Sequence, residues 1–146
     1  MSVELEELTK YTEDSARGFA KVAELIEEQD AALAKFFRSQ SRTRSLLAEQ
    51  LNERLQCIGQ EEQEGGTVLG AVHRKFLDVQ DAFTRSDNVK SVIDEAIRGE
   101  EMLRDFVVDA MNNLKVTDGE SERVMNNLKA HADESLSMLN SKRSAL

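Results

Sequence analysis

The sequence contains no proline, and only seven glycines and one cysteine are found among its 146 residues. The chain is dominated by Ala, Leu, Glu, Lys, Gln and Arg, which favour helices, and it lacks the residue that interrupts them most strongly. Strands would require alternating runs of β-branched and aromatic residues bounded by turn residues, and no such run extends beyond a few positions. The composition therefore predicts an all-α protein without a sheet.

Other absences limit the setting in which the chain works. The single cysteine, Cys57, cannot form an internal disulfide. The acidic start, residues 1–4, lacks the basic and apolar regions of a secretory signal. No apolar run approaches the roughly 20 residues needed to cross a bilayer. We therefore expect a cytoplasmic protein with no membrane partner.

The charge balance disfavours nucleic acid as a partner. Asp and Glu number 28 against 19 Lys and Arg, which gives a formal net charge of -9, and such a field repels phosphate backbones and anionic lipids. Lys35, Arg38 and Arg42 form a basic run, but Phe36 and Phe37 interrupt it. This pattern is typical of a solvated helix edge beside a core face, so we predict no nucleic-acid binding.

Apolar residues recur with a period near 3.5 to 3.6 in four segments, which predicts four long helices in one domain, 1–146. The first helix is predicted at residues 2–28, and the second begins after an N-cap at Asp30 and ends at Gly59. The third helix is predicted to begin after a cap at Ser86 and Asp87. The fourth is predicted to begin at Thr117 and to fray after residue 140. The four stripes are Leu5, Leu8, Thr12, Ser15, Phe19, Val22 and Ile26; Leu33, Phe37, Gln40, Arg44, Leu47, Leu51 and Ile58; Val89, Ile93, Ala96, Glu100, Leu103, Val107, Ala110 and Leu114; and Val124, Leu128, His131, Ser135 and Met138.

The second and third predicted helices are separated by a long connection. It begins with an acidic, glycine-bearing segment, 60–66, predicted to be an exposed loop, and continues with a weakly amphipathic segment, 67–83, predicted to be a short connecting helix. Four helices bury their stripes most economically against one another, and a connection of about 25 residues allows a crossover. The sequence therefore predicts a ferritin-like four-helix bundle with a short connecting helix in the crossover between helices 2 and 3.

Each stripe becomes polar near the middle of its helix, at Ser15, Arg44, Glu100 and His131. If the helices align end to end, these four residues share one layer. Buried polar groups cost free energy unless they are paired. We therefore predict a buried polar cluster in which the Arg44 guanidinium pairs with Glu100, with His131 hydrogen-bonded beside them.

Ferritin-like di-metal proteins hold iron or manganese at this depth, with a carboxylate from each of two helices and a Glu-x-x-His pair from each of the other two. The only histidines are His73 and His131, and Gly70 and Leu128 stand where the motif requires Glu. One carboxylate and one imidazole are too few ligands for a hard divalent ion. We predict no metal and no cofactor; if a metal were bound, Glu100 and His131 would be its ligands.

No catalytic residue is predicted either. No Ser, Cys or carboxylate stands at a spacing from His73 that would make this histidine a general base, so a partly buried structural histidine is the simpler interpretation. Gly65 and Gly66 lack the following lysine and the preceding strand of a phosphate-binding loop. We therefore expect a protein that is not an enzyme.

The segment 66–74 (GTVLGAVHR), the triplet Arg98-Gly99-Glu100 and the late His131 resemble an uncharacterised group of bacterial ferritin-like four-helix-bundle proteins, a domain of unknown function. The similarity covers nearly the full length. It implies the ferritin-like fold, and its specific points make His73, Arg74 and Gly99 candidates for structural roles.

The chain also departs from this group at several positions. The group usually carries an acidic residue and a tyrosine around the glycine of the first helix, where this chain has Arg17-Gly18-Phe19. It often has Glu at the positions of Gln50 and Ile97, and Tyr at the position of Phe106. Potential oxygen donors are therefore missing, which weakens the expectation of metal chemistry.

Three functional hypotheses follow. The first is a non-enzymatic bundle that acts through association, as a homo-dimer or other homo-oligomer, with a further protein partner possible at its helix faces or acidic loop. The second is a metal-binding or redox protein with a reduced ligand set around Glu100 and His131. The third is a coiled-coil scaffold with extended rather than packed helices, suggested by the unclear break near Asp30.

Overall fold

A computed structural model describes residues 3–57, 88–113 and 119–146 of the protein. These ranges contain four helices, α1 (Val3–Ile26), α2 (Ala31–Cys57), α3 (Val89–Asn113) and α4 (Gly119–Ser144), and no strand. The prediction of an all-α protein with four long helices is confirmed. The predicted loop 60–66 and connecting helix 67–83 lie outside the described residues.

The break between α1 and α2 lies where the sequence places it. The backbone N–H of Asp30 donates to the carbonyl of Ile26 over 2.9 Å, which closes the last turn of α1. The Asp30 carboxylate in turn accepts a hydrogen bond of 3.0 Å from the backbone N–H of Leu33. Asp30 is therefore the N-cap of α2, as predicted, and no glycine or proline is needed to separate the two helices.

Asn88 precedes the first residue of α3, and its side-chain oxygen accepts a hydrogen bond of 2.9 Å from the backbone N–H of Lys90. The predicted caps Ser86 and Asp87 lie outside the described residues. An asparagine satisfies an unpaired N–H of the first turn as well as serine or aspartate does.

The end of α4 is ordered into the last turn, so the predicted fraying after residue 140 is wrong. The Lys142 ammonium lies 5.5 Å from the centre of the Phe36 ring on α2. The Arg143 guanidinium donates to Asp94 on α3 over 2.5 Å. These two contacts attach the last turn to both neighbouring helices.

Two apolar clusters fill the bundle, one towards each end. One combines the early residues of α1 and α4 with the late residues of α2 and α3, including Leu8, Leu51, Leu103, Val107 and Leu128. The other combines the late residues of α1 and α4 with the early residues of α2 and α3, including Phe19, Ile26, Leu33, Phe37, Ile93 and Leu139. It follows that α1 and α4 run in one direction, and α2 and α3 run in the opposite direction.

The helices form a closed ring of neighbours. α1 packs along α2 and α3 packs along α4, while α2 also contacts α4 and α1 also contacts α3. α1 and α4 therefore face each other diagonally across the bundle, and so do α2 and α3. Because α2 and α3 are parallel, the end of α2 and the start of α3 lie at opposite ends of the molecule, about 40 Å apart for a helix of this length.

The predicted stripes are buried at the residues that the structure describes, except that Val89 and His131 are partly buried and Met138 is exposed. Met138 is 41% exposed, whereas Leu136 is 6% exposed and Leu139 is fully buried. α4 thus turns a slightly different face to the core than the stripe implied. Ile58 and Leu114 lie outside the described residues. Among the described helices, none has an apolar segment long enough to cross a membrane.

Candidate functional site

The structure brings together the four polar residues that interrupt the apolar stripes, one from each helix. Arg44 is 0% exposed, Glu100 2% and Ser15 3%, while His131 is partly exposed. They lie between the two apolar clusters and form a single polar layer across the bundle, which we call the central layer.

Arg44 is the hub of the central layer. Its Nη1 and Nη2 donate to the two carboxylate oxygens of Glu100 over 2.9 and 2.7 Å. Nη1 also donates to Ser15 Oγ over 2.5 Å, and Nε donates to His131 Nδ1 over 3.2 Å. The flat guanidinium lies 5.2 Å from the centre of the Phe19 ring. A planar group with donors on three sides suits this position, and an ammonium would not reproduce the geometry.

The ion pair between Arg44 and Glu100 crosses the centre of the bundle, because α2 and α3 are diagonal to each other. The other diagonal, from α1 to α4, supplies Ser15 and His131 as hydrogen-bond acceptors for the same guanidinium. All four helices are thus joined through one side chain. Removing two charges from water costs free energy that only close, bidentate geometry offsets, and this pair has that geometry.

His131 is held in its neutral form. Burial lowers its pKa to about 4, the positive charge of Arg44 acts in the same direction, and Glu100 opposes them. Since Nδ1 accepts the hydrogen bond from Arg44, the ring proton of the neutral form resides on Nε2. The imidazole is therefore an acceptor towards the interior of the bundle.

Tyr11 lies next to this layer, although it does not interrupt the apolar stripe of α1. It lies one turn before Ser15 on α1, is 4% exposed, and stacks on Phe106 with 5.7 Å between ring centres. Burial and then the negative charge of Glu100 raise the pKa of its hydroxyl, which stays protonated. Its Oη has no hydrogen-bond partner within the described part of the chain. The available signal was that it is the only tyrosine of the sequence and stands four positions before Ser15.

The central layer does not fit a metal ion. Both oxygens of Glu100 accept hydrogen bonds from Arg44, whose positive charge occupies the position that a cation would need. Across residues 3–57, 88–113 and 119–146, no group of three or more His, Cys, Asp or Glu side chains is arranged to hold a metal. The donor set is that of a buried ion pair, with one carboxylate and one imidazole.

The three residues predicted to have structural roles, Gly99, His73 and Arg74, are not part of the central layer as the structure describes it. Gly99 lies on α3 next to Glu100, and a Cβ placed on it would meet no atom within 4 Å. Packing within the described residues therefore does not require a glycine at this position. His73 and Arg74 lie outside the described residues.

Comparison with known families gives one match. The model of a family described as a domain of unknown function, DUF2383, matches residues 1–113. The chain belongs to the DUF2383 family. The match contains Ser15, Arg44 and Glu100 and ends at the last residue of α3, so His131 and the rest of α4 lie beyond the matched range. Neither the curated proteins nor the solved structures gave a match.

Proposed function

We propose that this DUF2383 protein is a ferritin-like bundle with a degenerate metal site, and that it acts without catalysis, through association with protein, first of all with a second copy of itself. The helix directions support the ferritin-like part. α1 and α2 are antiparallel, α3 and α4 are antiparallel, and the end of α2 is a full bundle length from the start of α3. One long crossover between two antiparallel pairs is the connectivity of ferritin-like folds.

The proposal depends chiefly on the bidentate pairing of Arg44 with Glu100. Glu100 is the only carboxylate of the central layer, and both of its oxygens are engaged by the guanidinium at 2.7 and 2.9 Å. A metal at Glu100 would displace Arg44 and leave a guanidinium that is 0% exposed without its counter-charge. Such a loss costs on the order of 3–5 kcal/mol. This energy opposes the competing hypothesis of a metal or redox protein built on Glu100 and His131.

Two exposed apolar side chains support the association part. Leu46 on α2 is 54% exposed and Met138 on α4 is 41% exposed, and these two helices are neighbours. A chain of net charge -9 repels its own copies, so contact between copies has to be driven by apolar surface. Single exposed apolar residues are common on monomers. Leu46 and Met138 are the exposed large apolar side chains of the four described helices, so they are the residues whose substitution tests the proposal.

The first test measures mass in solution and metal content on the same preparation, purified without chelators. We expect a mass of twice the 16.4 kDa chain by light scattering, and iron, manganese and zinc far below one per chain. The double variant Leu46→Gln/Met138→Gln should shift the mass towards the monomer. Leu146→Gln is the matched control, because this leucine is 62% exposed at the end of the chain.

Two results would contradict the proposal. A monomer at every concentration would exclude self-association. Near-stoichiometric metal in the wild type that is lost in Glu100→Ala would show that the central layer is a working metal site, and would favour the competing hypothesis.

A further inference from the structure

A cleft opens between α1 and α3, and both Tyr11 and Glu100 line it. Its walls include Tyr11, Gly18 and Phe19 from α1 and Ala96, Gly99 and Glu100 from α3. The space between atoms is about 430 Å³ including the open mouth, but only about 20 Å³ of it admits the centre of a water molecule. The larger volume includes open solvent, so the smaller one describes the enclosed part of the cleft. The cleft is therefore a narrow slot, and only a slender molecule would fit it.

The slot exists because the two helices present small residues to each other. Gly18 and Gly99 lie on opposite walls, with Ala96 one turn before Gly99. The space next to Gly99 is open, since a Cβ there would meet nothing within 4 Å. A glycine in a helix interior lowers the stability of the helix, and the packing of α3 does not require a glycine at this position.

Tyr11 lines this slot and is only 4% exposed, and its hydroxyl has no hydrogen-bond partner among the described residues. A buried hydroxyl without a partner costs about 1–3 kcal/mol. Native structures rarely retain such a group unless water or a ligand satisfies it. The hydroxyl of Tyr11 is therefore the unsatisfied polar group that a ligand of this largely apolar slot would pair with.

The charges around the slot favour an uncharged occupant. Glu100 at the inner end is neutralised by Arg44, and Glu95 in the wall pairs with Arg98. A charged ligand would lose its hydration in the slot without finding an unengaged counter-charge among these groups. Phe19, Val22 and Phe37 supply apolar contact for the body of a ligand.

We propose that the slot between α1 and α3 binds a slender, uncharged molecule with an apolar body and one hydroxyl or carbonyl group, which hydrogen-bonds to Tyr11 Oη. The site lies within one chain, so it goes beyond the proposed association and does not depend on it.

The test uses 1-hexanol as the probe and follows the amide signals of the ¹⁵N-labelled full chain by NMR. We expect saturable shifts at residues of the slot, among them Gly18 and Gly99. Tyr11→Phe should weaken hexanol binding about tenfold, because the hydroxyl of the ligand is then buried without a partner. Xenon, which needs no hydrogen bond, should bind the variant as well as it binds the wild type. Hexanoate and hexylammonium should not bind.

Gly99→Leu tests the location, because the added side chain should fill the slot and abolish hexanol binding. Gly119→Leu is its matched control, since Gly119 lies on α4 away from the slot and a Cβ there also meets nothing within 4 Å. If the leucine variant does not fold by circular dichroism, Gly99→Ala replaces it. The proposal is overturned if the wild type shows no saturable shifts, if Tyr11→Phe binds hexanol unchanged, or if filling the slot at Gly99 has no effect.

Discussion

Arg44 is the residue on which the interior depends. Its guanidinium is 0% exposed, pairs with Glu100 through two hydrogen bonds, and stacks against Phe19. The net contribution of such a pair to stability is small, because desolvation offsets most of the attraction. The loss of one partner is different, since the remaining charge stays buried without compensation.

Arg44→Ala should therefore lower the free energy of unfolding by about 3–5 kcal/mol, whereas the double variant Arg44→Ala/Glu100→Gln should lose clearly less. Urea denaturation followed by circular dichroism measures both. Arg17→Ala is the control: Arg17 pairs with Asp14 over 2.6 Å, but its side chain is 70% exposed, so the loss should stay below about 1 kcal/mol. Equal losses in the single and the double variant would refute the coupling between Arg44 and Glu100.

His131 gives the stability a specific dependence on pH. Its pKa is lowered to about 4 in the folded protein by burial and by Arg44, against about 6.5 in an unfolded chain. The unfolded state therefore binds more protons between these values, and the free energy of unfolding falls as the pH drops from about 6.5 to about 4. Because the ring is partly exposed, we expect a loss of about 1 kcal/mol across this window, less than the full shift implies.

His131→Gln should remove this part of the pH dependence while keeping an acceptor for Arg44. Urea midpoints measured from pH 4.5 to 7 test the expectation, and the NMR titration of the ring protons gives the pKa directly. His73→Gln serves as the control for the only other histidine. A His131 that titrates near pH 6.5 would show that the ring is not held by the central layer.

The members of the central layer could be predicted individually because each breaks an apolar stripe. Their exact contacts could not, since hydrogen bonds depend on helix rotation and rotamers that periodicity does not define. The burial of Tyr11 beside this layer could not be predicted for a related reason. It flanks the predicted stripe through Leu8, Thr12 and Ser15, and a buried helix face is wider than a single stripe.

Substitution of Gly99 tests whether α3 needs a glycine for its packing. Glycine in a helix interior is about 0.5–1 kcal/mol less favourable than alanine, and an added Cβ meets no atom within 4 Å. Gly99→Ala should therefore raise the melting temperature by about 2–4 °C. Gly119→Ala, at the first residue of α4, should change it less. A lower melting temperature for Gly99→Ala, measured by calorimetry without added ligand, would show that glycine is required here for packing.

Helix extents followed from the sequence where a side chain defines the end. Asp30 could be recognised as a cap because an acidic residue stands directly before a new apolar stripe. The end of α4 could not, because its order depends on contacts from Lys142 and Arg143 to other helices. The prediction that Met138 lies in the core was wrong, and the neighbouring Leu139 is buried in its place. The two residues are adjacent, and both fit a period between 3.5 and 3.6.

The arrangement of the four helices was only partly contained in the sequence. Four apolar stripes predict a bundle, and a long connection permits a crossover, but several arrangements of neighbours bury the same stripes equally well. The structure selects the ring in which α2 and α3 are diagonal and parallel. Nothing in the spacing of leucines distinguishes this ring from its alternatives.

The diagonal ion pair has a consequence for how the helices are aligned along their axes. If α2 slid past its neighbours by one turn, about 5.4 Å, aliphatic side chains would still meet aliphatic side chains, and hydrophobic burial would change little. The same movement would carry the guanidinium of Arg44 away from the carboxylate of Glu100, which now lies 2.7 Å from it. We therefore expect the pair to fix the axial register of α2 against its neighbours. It would add little to the stability of the native packing while raising the free energy of the shifted packings.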